Sequence, residues 1–281
     1  MSSKNLPALP VAMMLVASLL ASQSLPADRE SSANDLARRV ITHELKAQDE
    51  DHSHWMYRQV IEDHGKVEVR EVIETKDGDL SRLLAVNGRP LSEDEQQRED
   101  ERIQKLIANP DEHRKSQRAR NEDGDEAERL LKLFPEASLF SFVQQRGDVV
   151  ELEFRPNPRF KPPSAEGHVF HEMEGRIKVN VKEDRLVEIA GHLTHDVKFG
   201  GGLLGHLDKG GWFKVRQAEV APTHWEMTLL DVNMNGKILF FKTISLQQRE
   251  YRSDFHRVPD NLTLADAAEI LRKQITLTAR R

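Results

Sequence analysis

Two histidines have the type and spacing that could do chemistry. From Glu172 to Lys182 charged and apolar residues alternate, which is typical of a strand with one hydrated face and one dry face. Residues 186–199 repeat the alternation, and pairing the two runs places His171 and His195 in the dry row, about 7 Å apart. Imidazole nitrogens at that spacing can bind a metal ion or transfer a proton. A His-centred, metal-dependent hydrolase is therefore one hypothesis.

That arrangement depends on a specific register between the two runs. If both dry rows share a face, Val181 opposes Val187 and a three-residue turn, residues 183–185, connects the strands. In this register His195 opposes Met173.

The same histidines have an interpretation without chemistry. Histidines at the end of a sheet commonly bond a backbone carbonyl or stay hydrated, and the chain has 12 of them. No compact ligand motif such as His-Glu-x-x-His and no Gly-x-Ser-x-Gly elbow is present. The absence of cysteine excludes disulfides, thiolate nucleophiles and Cys-ligated zinc. Together, these observations favour a protein that is not an enzyme and that uses no cofactor.

The dry face suggests a second function, because it could line a cavity for an apolar ligand. A glycine-rich loop, residues 200–205, would then lie at the mouth. The candidate lining residues are Ile177, Val179, Val187, Ile189, Leu193, Leu203 and Leu204. Alternation shows that a face is dry but not what covers it, so a face packed inside an envelope interaction module is a third interpretation.

The N-terminus predicts export. Lys4 precedes an uncharged apolar run from Val11 to Ala21, and small residues follow, which is the layout of a signal peptide covering residues 1–24. The run is too short to span a bilayer, and no lipobox cysteine follows it. Because the chain has no cysteine for disulfides, the predicted location is the bacterial periplasm or exterior, without a transmembrane anchor in the mature chain.

Composition places residues 25–281 in one globular domain. A hydrophobic fraction of 38% is too high for a disordered chain, and a mean hydropathy of -0.62 excludes a polytopic membrane protein. The net charge of -6 argues against a nucleic-acid partner bound through bulk charge. About 255 residues are enough for one large domain with a sizeable core.

Helical patterns occur at both ends of the chain and in one insertion. Residues 31–48 predict an amphipathic helix, and residues 264–272 predict a short C-terminal helix capped by Thr263. The highly charged segment 92–134 predicts a solvated helical insertion on the rim of the sheet, starting at a Ser92–Glu95 capping box. Pro110 and the sequence at 123–125 should interrupt it, and Phe134-Pro135 should end it.

Most other segments predict short strands with tight connections. Asn235-Gly236 is the strongest hairpin signal between them. The predicted strands are 55–62, 66–75, 80–86, 138–145, 149–155, 169–182, 186–199, 212–220, 225–234 and 237–248. About ten strands without a βαβ rhythm predict an α+β fold built on an antiparallel sheet.

The closing pattern reads Trp225-Glu226-Met227, then Asn235-Gly236-Lys237, then Tyr251 to Phe255. Together with the signal peptide, the N-terminal helix and the inserted helices, it resembles the periplasmic lipoprotein-carrier and outer-membrane lipoprotein-sorting group over residues 34–257. The resemblance implies a curved, incomplete β-barrel (a half-barrel) whose concave apolar face is covered by helices and holds acyl chains. The charged insertion and the Pro-rich loop 156–163 depart from the simpler carriers of that group.

The leading expectation is therefore a non-enzymatic periplasmic carrier. Its partner would be a lipid or an acylated protein bound inside the half-barrel, and a further envelope partner is compatible with this function. The hydrolase and the packed module remain the alternatives.

Overall fold

A computed structural model describes residues 26–164, 166–199, 201, 205–238 and 242–278. Four α-helices occur in this part of the chain: α1 (Pro26–Glu50), α2 (Glu93–Ala108), α3 (Pro110–Ala137) and α4 (Leu264–Thr278). A 3-10 helix covers Glu166–His171. None of the helices in these ranges is long and apolar enough to cross a membrane. The predicted signal peptide, residues 1–24, lies outside the described residues.

The strands form one antiparallel sheet. They are β1 (His54–Asp63), β2 (Lys66–Ile73), β3 (Leu80–Val86), β4 (Arg89–Pro90), β5 (Ser138–Arg146), β6 (Val149–Pro156), β7 (Met173–Asn180), β8 (Arg185–Leu193), β9 (Val197–Phe199), β10 (Gly205–Leu207), β11 (Trp212–Ala221), β12 (His224–Ile238) and β13 (Lys242–Val258). The order is β4-β3-β2-β1-β13-β12-β11-β8-β7-β6-β5. Strands β9 and β10 lie off this path, and β10 pairs with both β12 and β9. The sheet is open. The predicted α+β fold is confirmed, with thirteen strands instead of about ten.

Two helix-covered cores lie on opposite faces of the sheet, and a third apolar cluster is formed on β1 and β2 by Trp55, Tyr57 and Val72. Helices α1 and α3 pack on the β5–β8 end, where Val40, Phe134 and Ile177 belong to one apolar cluster. Helices α2 and α4 pack on the β1–β3 end, where Ile103 and Leu271 meet a second cluster on the other face. Among the described residues, each end of the sheet therefore has a helical layer on one face only.

The charged insertion folds as two helices. The Ser92–Glu95 capping box forms as predicted, and a new helix begins at Pro110. Helix α3 then continues through residues 123–125 and ends only at Ala137, so the predicted interruption and the predicted end are wrong. A single glycine inside a helix costs about 1 kcal/mol, which contacts at the two ends of α3 can offset.

Those contacts show that the sheet curves around α3. Near one end of α3, Gln117 donates a hydrogen bond to the carbonyl oxygen of Asp79, directly before β3. Near the other end, the ring of Phe134 lies 4.8 Å from that of Phe154 on β6. The helical rise puts Gln117 and Phe134 about 25 Å apart. Eight strand spacings from β3 to β6 would measure about 38 Å in a flat sheet. We call the face beneath α3 the concave face.

The strongest hairpin signal in the sequence does not form a turn. Asn235 and Gly236 lie inside β12, which continues to Ile238, so the predicted hairpin at this position is wrong. Gly236 pairs with Leu207 of β10, and a Cβ atom at position 236 would collide with the carbonyl oxygen of His206. The glycine is required for a close approach between two backbones rather than for a positive φ.

The hairpin between β7 and β8 also differs from the predicted register. Met173 pairs with Leu193 and Ile177 pairs with Ile189, because residues 181–184 form a four-residue connection. The shift of two residues keeps Ile177, Ile189 and Leu193 on the concave face, whereas the irregularity after Lys178 brings Leu186 rather than Val187 into the core. His195 follows the end of β8 and does not oppose Met173 as predicted.

Candidate functional site

The concave face carries rows of directly paired side chains that run from β2 to β5. Paired residues in an antiparallel sheet lie on the same face, so each row can be followed strand by strand. One row is Glu68, Ile61, Glu250, Leu230, Val215, Ile189, Ile177, Leu152 and Phe142. The row begins with charged residues on β2 and β13 and becomes entirely apolar from β12 onward. The concave face is therefore amphipathic across the strands.

Helix α1 fills the apolar end of this face. Ile177 and Val179 are fully buried, Leu193 is 1% exposed, and all three belong to the core that includes Leu36 and Val40 of α1. These three predicted cavity-lining residues thus lie on the concave face, but they are packed against α1 rather than facing an empty space. Alternation identified the dry face correctly and could not show that a helix covers it.

The other predicted lining residues differ from these three. Ile189 is half-buried at the border of the α1 core. Val187 falls at an irregularity of the β7–β8 register, between the Lys178–Glu188 and Val179–Leu186 pairs. Leu203 and Leu204 lie outside the described residues, as does most of the predicted glycine-rich mouth.

The middle of the concave face is apolar and only partly covered. Val215, Leu230 and Val232 are half-buried, and none of them belongs to a described core cluster. We call these three residues the central strip. On the opposite face of the neighbouring strands, Glu188 bonds both Lys178 and Arg216 at 2.8 Å, as a hydrated face would. The central strip therefore exposes apolar side chains on the face on which α1 and α3 pack.

A polar cleft of about 580 Å³ lies beside the central strip, over β13, β1 and β2. Its floor contains two bands, each formed by two like residues on β2 and β13 with one residue of β1 between them. In the first, which we call the arginine band, Gln59 pairs with Arg70 on one side and with Arg252 on the other. In the second, the glutamate band, Ile61 pairs with Glu68 and with Glu250.

Ion pairs along the strands connect the two bands. Arg252 Nε donates to Glu250 Oε1 at 2.6 Å, and an Arg70 guanidinium N–H donates to Glu68 Oε2 at 2.7 Å. A hydrogen bond from Lys66, together with the Arg70 contact, lowers the pKa of Glu68. Glu68 is therefore ionised at neutral pH.

The Arg252 end of the cleft is built from buried groups. The guanidinium lies 5.1 Å from the centre of the Tyr57 ring, a cation–π arrangement. Burial raises the pKa of the Tyr57 hydroxyl, so this group stays neutral. Burial, together with repulsion from Asp79 and Glu226, raises the pKa of Glu74 to about 7. Glu74, which interacts electrostatically with Arg252, thus titrates near neutral pH.

The two predicted histidines are not brought into a metal site. His195 bonds Glu172 Oε2 at 3.0 Å and is exposed. His171 ends the 3-10 helix, with its ring 6.0 Å from those of Phe160 and His168. Within the described ranges no three His, Asp or Glu side chains are grouped so that they could hold a metal ion.

The arginine and glutamate bands were missed by the sequence analysis. Lys66, Glu68 and Arg70 alternate with Val67 and Val69 along β2, which is a visible signal of one charged face. The matching pattern on β13 is about 180 residues away in the chain. Only the β1–β13 pairing brings the two together.

Comparison with family models, with curated proteins and with solved structures finds no match to this chain.

Proposed function

We propose that the protein is a non-enzymatic carrier of a lipid or an acylated protein in the bacterial envelope. The ligand lies on the concave face, with its acyl chain on the central strip and its polar end in the cleft. One observation carries the proposal: a single row of paired residues changes from Glu68 and Glu250 to Leu230 and Val215 without leaving the face. A surface with that gradient matches a molecule that has one charged end and one apolar end.

The energetics favour an acyl chain over a wholly polar ligand. Removing apolar surface from water contributes about 25 cal/mol per Å², and the half-buried Val215, Leu230 and Val232 still have such surface to cover. A carbohydrate or a peptide backbone would leave hydrogen-bonding groups unpaired against these side chains. An acyl chain has none.

Helix α3 supplies the cover that such a site needs. It is held at β3 by Gln117 and at β6 by Phe134, and the strands between these two positions carry the central strip. The contact at Gln117 is polar, whereas Phe134 is 2% exposed within an aromatic cluster. Gln117 is itself buried, and we propose that its polar contact with the sheet is the one that opens for uptake.

A packed interaction module is the second candidate, favoured by the complete burial of Ile177 and Leu152 under α1. The two functions differ in the state of the central strip. In a carrier the strip is vacant between ligands, whereas in a packed module it is permanently covered.

Three variants with the same new side chain separate these functions. Val215→Glu places a carboxylate on the central strip, where it can hydrate but would have to be desolvated by an acyl chain. We expect the protein to fold, with at least tenfold weaker binding of a fluorescent fatty acid. Val60→Glu, at a half-buried position on the opposite face, is the matched control and should leave binding unchanged.

Ile177→Glu, in the same row as Val215, is the contrasting variant. It buries an unpaired charge beneath α1 and should unfold the domain at a cost of several kcal/mol. If Val215→Glu unfolds the protein as Ile177→Glu does, the strip is packed and the carrier is wrong. A folded Val215→Glu that binds as tightly as wild type would exclude the strip as the acyl site.

A further inference from the structure

The charged side chains on the floor of the cleft are arranged in a specific pattern, which can distinguish one polar end of a ligand from another. Arg70 and Arg252 flank Gln59 on the two strands beside it, so they lie about 10 Å apart. Glu68 and Glu250 flank Ile61 in the same way. The bands are separated by two residues along each strand, which is about 6.5 Å.

The two ion pairs point in the same direction. Strands β2 and β13 are both antiparallel to β1 and therefore parallel to each other. Glu68 precedes Arg70 by two residues on β2, and Glu250 precedes Arg252 by two residues on β13. The floor is thus a positive band beside a negative band, and the two pair dipoles add rather than cancel. Beyond the glutamate band, Lys66 also pairs with Glu68 at 2.6 Å, and Asp63 lies opposite Lys66.

This pattern discriminates between classes of polar end. An anion placed over the arginine band is repelled by the carboxylates next to it, and a cation over the glutamate band is repelled by the guanidinium groups. A zwitterion is attracted by both bands when its negative group lies over the arginine band and its positive group lies over the glutamate band. Guanidinium groups bind phosphate oxygens in a fork geometry, and carboxylates accept hydrogen bonds from an ammonium.

We infer that the carrier selects a zwitterionic head group, with its phosphate on Arg70 and Arg252 and its ammonium on Glu68 and Glu250. This inference rests on the proposed function. Phosphoethanolamine is the simplest such group, since two carbons separate its phosphate from its ammonium. The glutamate band directly adjoins the apolar strip, because Glu250 pairs with Leu230, so head group and acyl chain lie on one continuous surface.

The test compares three amphiphiles that have the same acyl chain and different head groups. They are lysophosphatidylethanolamine as the zwitterion, lysophosphatidylglycerol as the anion and an alkyltrimethylammonium as the cation. Each displaces a fluorescent fatty acid from the full exported chain. We expect the zwitterion to bind about tenfold more tightly than either of the others. Equal affinities would overturn the head-group inference and leave the carrier intact. If none of the three binds, both proposals are wrong.

Variants of the bands identify the groups responsible. Arg70→Gln removes a positive charge and should shift the preference toward the cation, whereas Glu68→Gln should shift it toward the anion. Arg252→Gln and Glu250→Gln are the second pair, in case either first variant fails to fold. Arg216→Gln removes an equivalent ion-paired arginine from the opposite face and serves as the control. A preference that no folded band variant changes would contradict the inference.

Glycerophosphoethanolamine, which has the head group without the acyl chain, distinguishes a lipid from a small zwitterion. We expect it to compete at least a hundredfold more weakly than the lysolipid. If it competes as strongly, the head-group site stands and the acyl-chain carrier is wrong.

Discussion

The side-chain amide of Gln117 lies 3.1 Å from the backbone oxygen of Asp79, and this hydrogen bond joins α3 to the β3 end of the sheet. Gly78 makes the approach possible. It has a φ of +107°, and a Cβ atom there would meet Cγ of Gln117. Cysteines at 78 and 117 would therefore have their Cβ atoms at most about 4 Å apart, close enough for a disulfide.

The first prediction uses this proximity in a chain that has no cysteine of its own. The double variant Gly78→Cys/Gln117→Cys should fold, with a modest loss of stability from the positive φ at position 78. When oxidised, it should take up a fluorescent fatty acid at least tenfold more slowly than when reduced, because the end of α3 that opens is fixed. Each single variant, under the same redox conditions, is the control. An oxidised protein with unchanged uptake would show that α3 does not gate the cleft.

The second prediction concerns pH and Glu74, whose Oε2 accepts a hydrogen bond from the Trp55 backbone N–H at 2.9 Å. Burial raises the pKa of this carboxyl to about 7, above its ordinary value of 4.5. Between about pH 4.5 and pH 7, the carboxyl is therefore protonated in the folded state and ionised in the unfolded state. The stability that the raised pKa contributes is complete below pH 4.5 and is lost as the pH rises through about 7.

Glu74→Gln keeps the acceptor for Trp55 and removes the titration. We expect the variant to exceed wild type in free energy of unfolding by about 1–3 kcal/mol at pH 8, with the difference closing as the pH falls toward 4.5. Glu68→Gln is the control, because its effect on the free energy of unfolding should change with pH in the opposite direction. The pKa of Glu68 is lowered in the folded state, so the stability that its ionised form contributes is lost on acidification. Urea unfolding at several pH values measures both. A pH-independent difference for Glu74→Gln would contradict the raised pKa.

Local features of the fold could be predicted from the sequence, whereas long-range pairings could not. The turn at His64-Gly65, with positive φ at both residues, and the Ser92–Glu95 capping box are encoded by adjacent residues. The pairing of Gln59 with Arg252 depends on two segments almost 200 residues apart, and no periodicity in either one specifies its partner. The dry face could be recognised because alternation is a pattern of adjacent residues. The charged bands of the cleft could not be recognised, because they depend on pairing between distant segments.

The third prediction tests the glycine that was mistaken for a turn. Gly236→Ala adds a Cβ atom that would collide with the carbonyl oxygen of His206, so β10 must separate from β12. We expect a loss of about 1–3 kcal/mol in unfolding free energy, with faster amide exchange confined to residues 205–207. Gly88→Ala, at a positive-φ turn without neighbours within 4 Å, should instead leave that exchange unchanged. Unaltered exchange at 205–207 in Gly236→Ala would mean that the contact is not tight.

The last prediction concerns the buried ion pair that fixes α1 on the concave face. Arg185, at the start of β8, donates two hydrogen bonds of 2.9 Å to the carboxylate of Glu44. Glu44 Oε2 also accepts the backbone N–H of Leu186 at 3.1 Å. Both charged residues are less than a tenth exposed, so neither charge can be hydrated if its partner is lost.

Removing one partner should therefore cost more than removing both. Glu44→Gln and Arg185→Met should each lower the unfolding free energy by about 3–5 kcal/mol, because each leaves an unpaired charge in an apolar setting. The double variant should recover most of that loss. Its glutamine oxygen still accepts from Leu186, and its methionine fills the space of the arginine stem without a charge. A double-mutant cycle in urea measures the coupling. Strictly additive losses would mean that the pair is hydrated and that α1 is held on the sheet by its apolar face alone.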